Sequence, residues 1–337
     1  MISCWYRPGL LPRTAAHSKG TGLRLLELDG PGSFWLSGDV GVYEAERIMM
    51  RPDSEKLRAM LSRITVGDSR LAREGNVSSG IGMSIEICEV RKEFRNLRDP
   101  ANSVVVLDAL SLNIASGEFV TIVGPSGCGK TTLLMCIAGL EPYEGTILLD
   151  GSLVKGPQEG VAVVFQAPSL LPWRTARANA RYGLEAQVSR PRRVKKELDA
   201  RAVEALKQVG LPQDAWNRYP DQLSGGMQQR INIARALATQ PRLLLMDEPF
   251  GALDAITRGR LQVEFDRLSA SIGITNVFIT HDLEEAIYLG DRVIVMGSSM
   301  GAIREERRIE LPHPRDLELK FSEQFKRLLR DLHRTLG

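Results

Sequence analysis

From Ile85 onward, apolar positions follow two different rhythms. IEICEVRKEF and VVVLDALSLNI alternate apolar and polar residues, as strands of an antiparallel sheet do. EFVTIVG, PRLLLMDEP and TNVFITHD are short, mainly apolar runs bounded by turn or polar residues, the pattern of strands buried on both faces. GTILLDG, VAVVFQ and DRVIVMG add further strands, and TTLLMCIAGL and MQQRINIARALA read as helices. VKKELDARAVEALKQVG predicts an amphipathic helix with Val194, Leu198, Ala202, Leu206 and Val209 on one face. FSEQFKRLLRDLHRTL predicts another, with Phe321, Phe325, Leu328, Leu329 and Leu332 facing its own domain. The alternation of strands and helices makes this region α/β.

The first 82 residues differ. They are rich in Gly, Ser and Arg and show little alternation, so they read as loop or disorder apart from one short helix in DSEKLRAMLSRI. Ser54 can cap that helix, and Leu57, Met60, Leu61 and Ile64 share a face. Composition otherwise excludes more than it identifies. With 337 residues, 43% hydrophobic, the chain can bury a large core. A net charge of +3, spread over interspersed acids and bases, gives no field for binding nucleic acid. No apolar run reaches the ~18–20 residues of a membrane span, and the N-terminus lacks the apolar stretch of a signal peptide. Four cysteines without CxxC spacing suit a reducing compartment, with Cys88 and Cys136 read as small core residues.

The chemistry begins at GPSGCGKTT, residues 124–132. The stretch fits G-x-x-x-x-G-K-[ST] between a buried strand and a helix. Gly124, Gly127 and Gly129 let the backbone curl so that N–H groups around Pro125, Ser126 and Cys128 form an anion nest, and the following helix adds its positive end. Lys130 reaches the β- and γ-phosphates, Thr131 offers a hydroxyl to Mg²⁺, and Thr132 bonds a phosphate. Cys128 is a small filler whose backbone alone is needed.

Asp247 emerges at the carboxyl end of the run LLLM, where open α/β sheets bind ligands. An aspartate there suits Mg²⁺, and the adjacent Glu248 is placed to orient or deprotonate a water. Gln166 and His281 end two other strands on the same edge. Gln166 can meet the metal or the water, and His281 the γ-phosphate. In LSGGMQQR, two glycines precede a helical run, although glycine costs roughly 0.5–1 kcal/mol inside a helix. Ser224, Gly225 and Gly226 thus open a helix whose N-terminal N–H groups seek an anion that must come close.

In this order, GPSGCGKTT, FQ, LSGGMQQR, LLLMDEP, ALD and THD resemble the ATP-binding cassette ATPases over about residues 85–310. The resemblance implies a P-loop fold with a RecA-like parallel core sheet, an antiparallel β subdomain and a helical signature subdomain at about 167–240. The cassette would span residues 83–312, followed by a C-terminal amphipathic helix in 313–337. It implies ATP and Mg²⁺ as ligands. Walker A is Gly124 to Thr132, Walker B ends at Asp247, Gln166 is the Q-loop residue, Glu248 the catalytic glutamate, Asp254 the D-loop aspartate and His281 the switch histidine. Phe94 occupies the place of the adenine-stacking aromatic, with phenylalanine for the more usual tyrosine. Ser224, Gly225, Gly226 and Gln228 would cover the γ-phosphate bound to a second copy.

FQAPSLLPWRTARANARYGL resembles the Q-loop region of importer subunits for nitrate, sulfonate, taurine or bicarbonate, through Leu170 to Trp173, Thr175 and Asn179. ARAN departs from that pattern, which more often has a valine before the asparagine. The implied assembly is a homodimer at the cytoplasmic face of the plasma membrane, joined to integral-membrane permease subunits and, through them, to a periplasmic solute-binding protein. Three alternatives compete. A DNA-repair cassette would carry a coiled coil before the signature, and none is present between Thr132 and Leu223. A catalytically dead regulatory cassette would lack Lys130, Asp247, Glu248 or His281. An exporter cassette would need its own membrane partner. Residues 1–82 resemble nothing in the family, and Met83 stands where family members commonly begin. They read either as an over-extended reading frame or as a disordered arm.

Overall fold

The computed structural model describes residues 81–94, 103–188, 194–298 and 301–336, and the backbone of four strands nearer the N-terminus. The chain divides into two compact units, Met1–Asn76 and Val77–Gly337. In the first, β1 (Thr14–His17), β2 (Arg24–Glu27), β3 (Phe34–Gly38) and β4 (Gly41–Tyr43) pair in sequence order as an antiparallel sheet. Sequence reading expects loop here; strands of three to five residues are too short to set up a visible alternation. The helix expected in DSEKLRAMLSRI lies outside the described residues.

The second unit holds two sheets. An antiparallel sheet of order β6-β5-β8-β9 is built from β5 (Ile85–Phe94), β6 (Val104–Ile114), β8 (Glu144–Leu149) and β9 (Ser152–Leu153). In β5 the alternation survives a bulge: Glu89 has φ 49° and the register shifts between Ile87 and Val90, so both apolar residues stay inside. Cys88, expected in the core, is instead exposed, because it falls on the wet side of that alternation. Cys136 is fully buried, as expected.

The larger sheet has the order β10-β11-β12-β7-β13-β14. Strands β10 (Val161–Val164), β11 (Leu243–Asp247), β12 (Thr275–Thr280), β7 (Phe119–Val123) and β13 (Arg292–Met296) run parallel, and β14 (Ile303–Arg308) closes the edge antiparallel. The central runs are continuous because both faces are covered. Phe119, Val123, Leu244, Met246 and Phe278 face one core, while Val120, Ile122, Leu243, Leu245, Val277 and Ile279 face the other. The first core is shared with α2 (Ala176–Gln187), α3 (Lys195–Gln208), α4 (Gly225–Leu237), α5 (Ala255–Ile272), α6 (Leu283–Leu289) and α7 (Glu323–Leu336). The second is shared with the antiparallel sheet and α1 (Lys130–Ile137).

The expected face of α3 is confirmed, with Leu198, Ala202, Leu206 and Val209 buried and Val194 packed at its edge. Helix α7 packs on its own unit through Phe325 and Leu332. Phe321 corrects the expectation. It is 74% exposed, because it ends a 3₁₀ turn, Leu317–Phe321, and the helix starts only at Glu323.

Two segments are tied to this unit by polar contacts. Upstream, Arg242 donates to the carbonyls of Ile81 (3.1 Å) and Gly82 (2.8 Å), and the Met83 N–H donates to Thr275 Oγ1 (2.9 Å). A Cβ on Gly82 would stand 2.3 Å from the Gly117 nitrogen. The expected boundary before Met83 therefore falls inside a packed segment. Downstream, His313 bridges Asp266 of α5 (2.5 Å) and Asp291 (3.1 Å), whose other oxygen accepts from the Phe119 N–H.

These two carboxylates hold the His313 imidazole charged and push its pKa from 6.5 up to about 9, against burial and the nearby Arg315. Because the folded value lies above the unfolded one, this stabilisation is complete below pH 6.5 and disappears as pH rises through about 9. Denaturant midpoints measured across that window are expected to fall with pH, and His313→Gln to flatten the fall. His313→Ala, which leaves one oxygen of the buried Asp266 unbonded while the other still accepts from the Arg315 N–H, is expected to cost about 3 kcal/mol.

Candidate active site

The register of the parallel sheet assembles the site. Val123 pairs with Thr280, Asp247 with Ile279 and Val164 with Met246, so the loops after four strands leave one edge side by side. Those loops carry Gly124, His281, Glu248 and Gln166. The strand-end residues expected from sequence therefore leave the sheet on one edge, and Gln166, Glu248 and His281 touch there.

The phosphate loop runs from β7 into α1. Gly127 (φ 81°) has open space where a Cβ would stand, on the exposed rim with Pro125, Ser126 and Thr131. Gly129 (φ 101°) is needed for packing, since a Cβ there would meet Leu107 at 2.9 Å. Cys128 is buried, as a filler would be. Lys130 is buried as well, and its ammonium donates to the carbonyls of Gly124 (2.8 Å) and Pro125 (2.9 Å). The lysine is thereby folded back over the loop it serves. Thr132 is half-buried on the first turn of α1.

Thr131 Oγ1 lies 3.0 and 3.2 Å from the two carboxylate oxygens of Asp247. Burial pushes the Asp247 carboxyl above the ordinary carboxylate range, with the Thr131 bond pulling the other way. Glu248 stands just past the strand with its N–H donating to the Ile279 carbonyl (3.0 Å). Its Oε2 receives the Gln166 amide (3.3 Å) and lies 3.1 Å from His281 Nδ1. Glu248 also has φ 43°, a left-handed conformation that costs a non-glycine residue about 1–3 kcal/mol and concentrates at active sites. No pattern in the sequence signals this strain. Phe250, fully buried against Phe265 and Phe278, anchors the loop just beyond it.

Phe94 is 43% exposed at the end of β5, with the Lys92 ammonium 4.6 Å from its ring centroid. It is a surface aromatic rather than a core one, with ring area open to a flat ligand.

The signature residues open α4. Ser224 caps the helix, its Oγ accepting from the Met227 N–H (3.3 Å). Gly225 is exposed, whereas Gly226 is buried, and a Cβ there would be 2.6 Å from Thr257 Cγ2. Thr257 in turn gives its N–H to Asp254, which caps α5 (3.0 Å). Gly226 is thus required by close packing within its own chain. The Gln228 amide donates to the carbonyls of Pro220 (2.8 Å) and Leu223 (3.3 Å), bracing the turn before the helix. Helix α4 packs on α2, α3 and β10, whereas α1 packs on β6, β11 and β12, so signature and phosphate loop belong to different parts of the chain.

The segment after Gln166 has its own framework. Asn179 is fully buried. Its amide donates to the carbonyls of Leu171, Arg174 and Thr175 and accepts from the Leu171 N–H. This clamp holds a turn that leaves Trp173 72% exposed. From α4, Asn232 donates to the Phe165 carbonyl, and Arg235 to those of Pro168 and Ser169. One helix therefore carries the signature at its start and braces the Q-loop further along. Asn232 and Arg235, three residues apart in an ordinary helical run, give no sequence signal of that role.

Comparison with known proteins gives the family. The ABC transporter family profile matches residues 107–251. An uncharacterized ABC transporter ATP-binding protein of Methanocaldococcus jannaschii is 48% identical over 68% of this chain and 84% of its own. An aliphatic sulfonates import ATP-binding protein of Xanthomonas axonopodis is 47% identical over 63% of this chain and 82% of its own. Among solved structures, a dimeric ATP-binding cassette in a post-hydrolysis state with ADP and Pi superposes with a TM-score of 0.59, at 32% identity, over 68% of this chain and all of that one. The chain belongs to the ABC transporter ATP-binding proteins and is an ATPase of that family.

Proposed function

We propose that this ATPase is the energising subunit of an importer for a small solute of the nitrate, sulfonate, taurine or bicarbonate class. Two copies bind two ATP molecules head to tail. In each site Phe94 stacks on adenine, the loop Gly124–Thr132 holds the phosphates, and Ser224 and Gly225 of the other copy close over the γ-phosphate. Glu248 takes the proton of the attacking water, Gln166 helps hold that water in line, and His281 holds the γ-phosphate. Charge neutralisation by Lys130 and the N-terminus of α1 supplies much of the barrier lowering. Thr131 and Asp247 offer adjacent hard oxygen donors that fit Mg²⁺, which would neutralise charge on the phosphates. Their contact in the structure is the observation supporting that fit.

The importer reading is carried by Trp173, a large apolar side chain held out from the surface by the Asn179 clamp. Isolated exposed tryptophans of this kind suit a partner pocket. That partner is the integral-membrane permease, which would hold the cassette at the cytoplasmic face and connect it with a periplasmic solute-binding protein. No helix among the described residues is long and apolar enough to cross a membrane. The sulfonate-importing relative supports the same choice. The chain is expected to pellet with membranes only when its permease is co-expressed, and Trp173→Glu to stay in the supernatant while hydrolysing ATP normally. Pelleting without the permease, or undiminished pelleting of Trp173→Glu, would overturn the docking assignment.

A further inference from the structure

His281 has a 59% exposed side chain, and its ring contact is with Glu248. Its backbone is fixed from both sides. Thr280 Oγ1 accepts the Asp282 N–H (3.0 Å) and donates to Glu285 Oε2 (2.5 Å). Glu285 is a buried carboxylate of α6, and its second oxygen accepts from the Gln262 amide of α5 (3.0 Å). The Gln262 carbonyl oxygen accepts from the Lys320 ammonium (2.9 Å), which also stands 4.9 Å above the Tyr288 ring. A polarised chain thus runs from a cation on the 3₁₀ turn to the residue before the switch histidine.

The other end of α6 is held from the same segment. Arg315 is among the largest fully buried side chains, and one guanidinium nitrogen donates to the carbonyls of Ile287, Tyr288 and Gly290 at 2.9–3.0 Å. These are the last carbonyls of a helix, where a cation is favoured. The Tyr288 hydroxyl donates back to the Arg315 carbonyl (2.6 Å). Both residues lie beyond the segment matched by the family profile, which ends at residue 251.

We propose that Lys320 and Arg315 are positioning residues for ATP hydrolysis, fixing where His281 stands against Glu248 by holding the two ends of α6. The inference rests on the reading that His281 and Glu248 serve the γ-phosphate and the attacking water. It makes the C-terminal segment part of the hydrolytic apparatus, although none of its side chains need touch nucleotide.

The test is steady-state phosphate release by the full-length chain. Lys320→Met keeps an apolar stem over Tyr288 but removes the cation. It is expected to lower kcat about tenfold while leaving ATP affinity and KM within about twofold. Lys320→Arg should recover most of the rate. Arg315→Lys keeps the charge but loses the fork that reaches several carbonyls, and should lower kcat in the same manner. In a His281→Ala background Lys320→Met should cause no further loss in single-turnover rate, because the two changes remove one function. A folded Lys320→Met with undiminished kcat, or one that loses as much again in the His281→Ala background, overturns the inference. Should His281→Ala alone hydrolyse ATP at the full rate, the site reading falls instead, whatever Lys320→Met does.

Discussion

Glu248→Gln is expected to bind ATP as tightly as the unsubstituted chain, to accumulate as an ATP-bound dimer, and to hydrolyse about a thousandfold more slowly. The substitution preserves size and much of the local bonding. An amide oxygen can still accept from Gln166, and the Glu248 backbone bond to Ile279 is untouched. What disappears is the capacity to take a proton from water. The nucleotide-binding groups are left alone, since Lys130 is held by the loop's own carbonyls and makes no bond to Glu248. Phosphate release and size-exclusion chromatography with ATP measure the two halves of the result. A normal hydrolysis rate would mean that another group acts as base.

Ser224→Arg should separate binding from closure. In the single chain Ser224 caps α4, and losing that cap costs about 1 kcal/mol, with a cation at a helix N-terminus adding a smaller penalty. The phosphate loop lies on other elements, so the monomer's ATP affinity should change by less than about threefold, equivalent to under 1 kcal/mol. A long side chain at the rim, however, would keep the α4 N-terminus from approaching a second copy's nucleotide. ATP-dependent dimerisation and hydrolysis should therefore be lost together. Loss of monomer ATP binding would show that the signature acts in its own chain.

The active edge was legible because its parts are local. Gly124 and Asp247 follow directly on apolar runs and His281 comes one residue after one, and such runs point to strands covered on both faces. Cys88 and Phe321 misled because apolar character says nothing of which side of a strand, or which turn, a residue takes. Helices α2 and α5 were hard to read for different reasons. The buried face of α2 is two alanines, Asn179 and a single leucine, and that of α5 includes Gln262 and Asp266, so neither shows strong apolar periodicity. The Lys320–Gln262–Glu285 chain joins residues far apart in sequence and has no periodic signature at all. The left-handed backbone of Glu248 is a consequence of its surroundings and leaves no mark in composition.

The contact between Gly226 and Thr257 changes how substitutions in the signature should be interpreted. The two neighbouring glycines are not equivalent probes. Alanine at Gly226 would collide with α5 of the same polypeptide, and its first symptom would be a misfitted helix. Alanine at Gly225, where the nearest side chain is 3.9 Å away, would fit within the monomer. A defect at the second glycine reports how one chain fits itself; under the proposed head-to-tail pairing, a defect at the first reports how two chains fit each other.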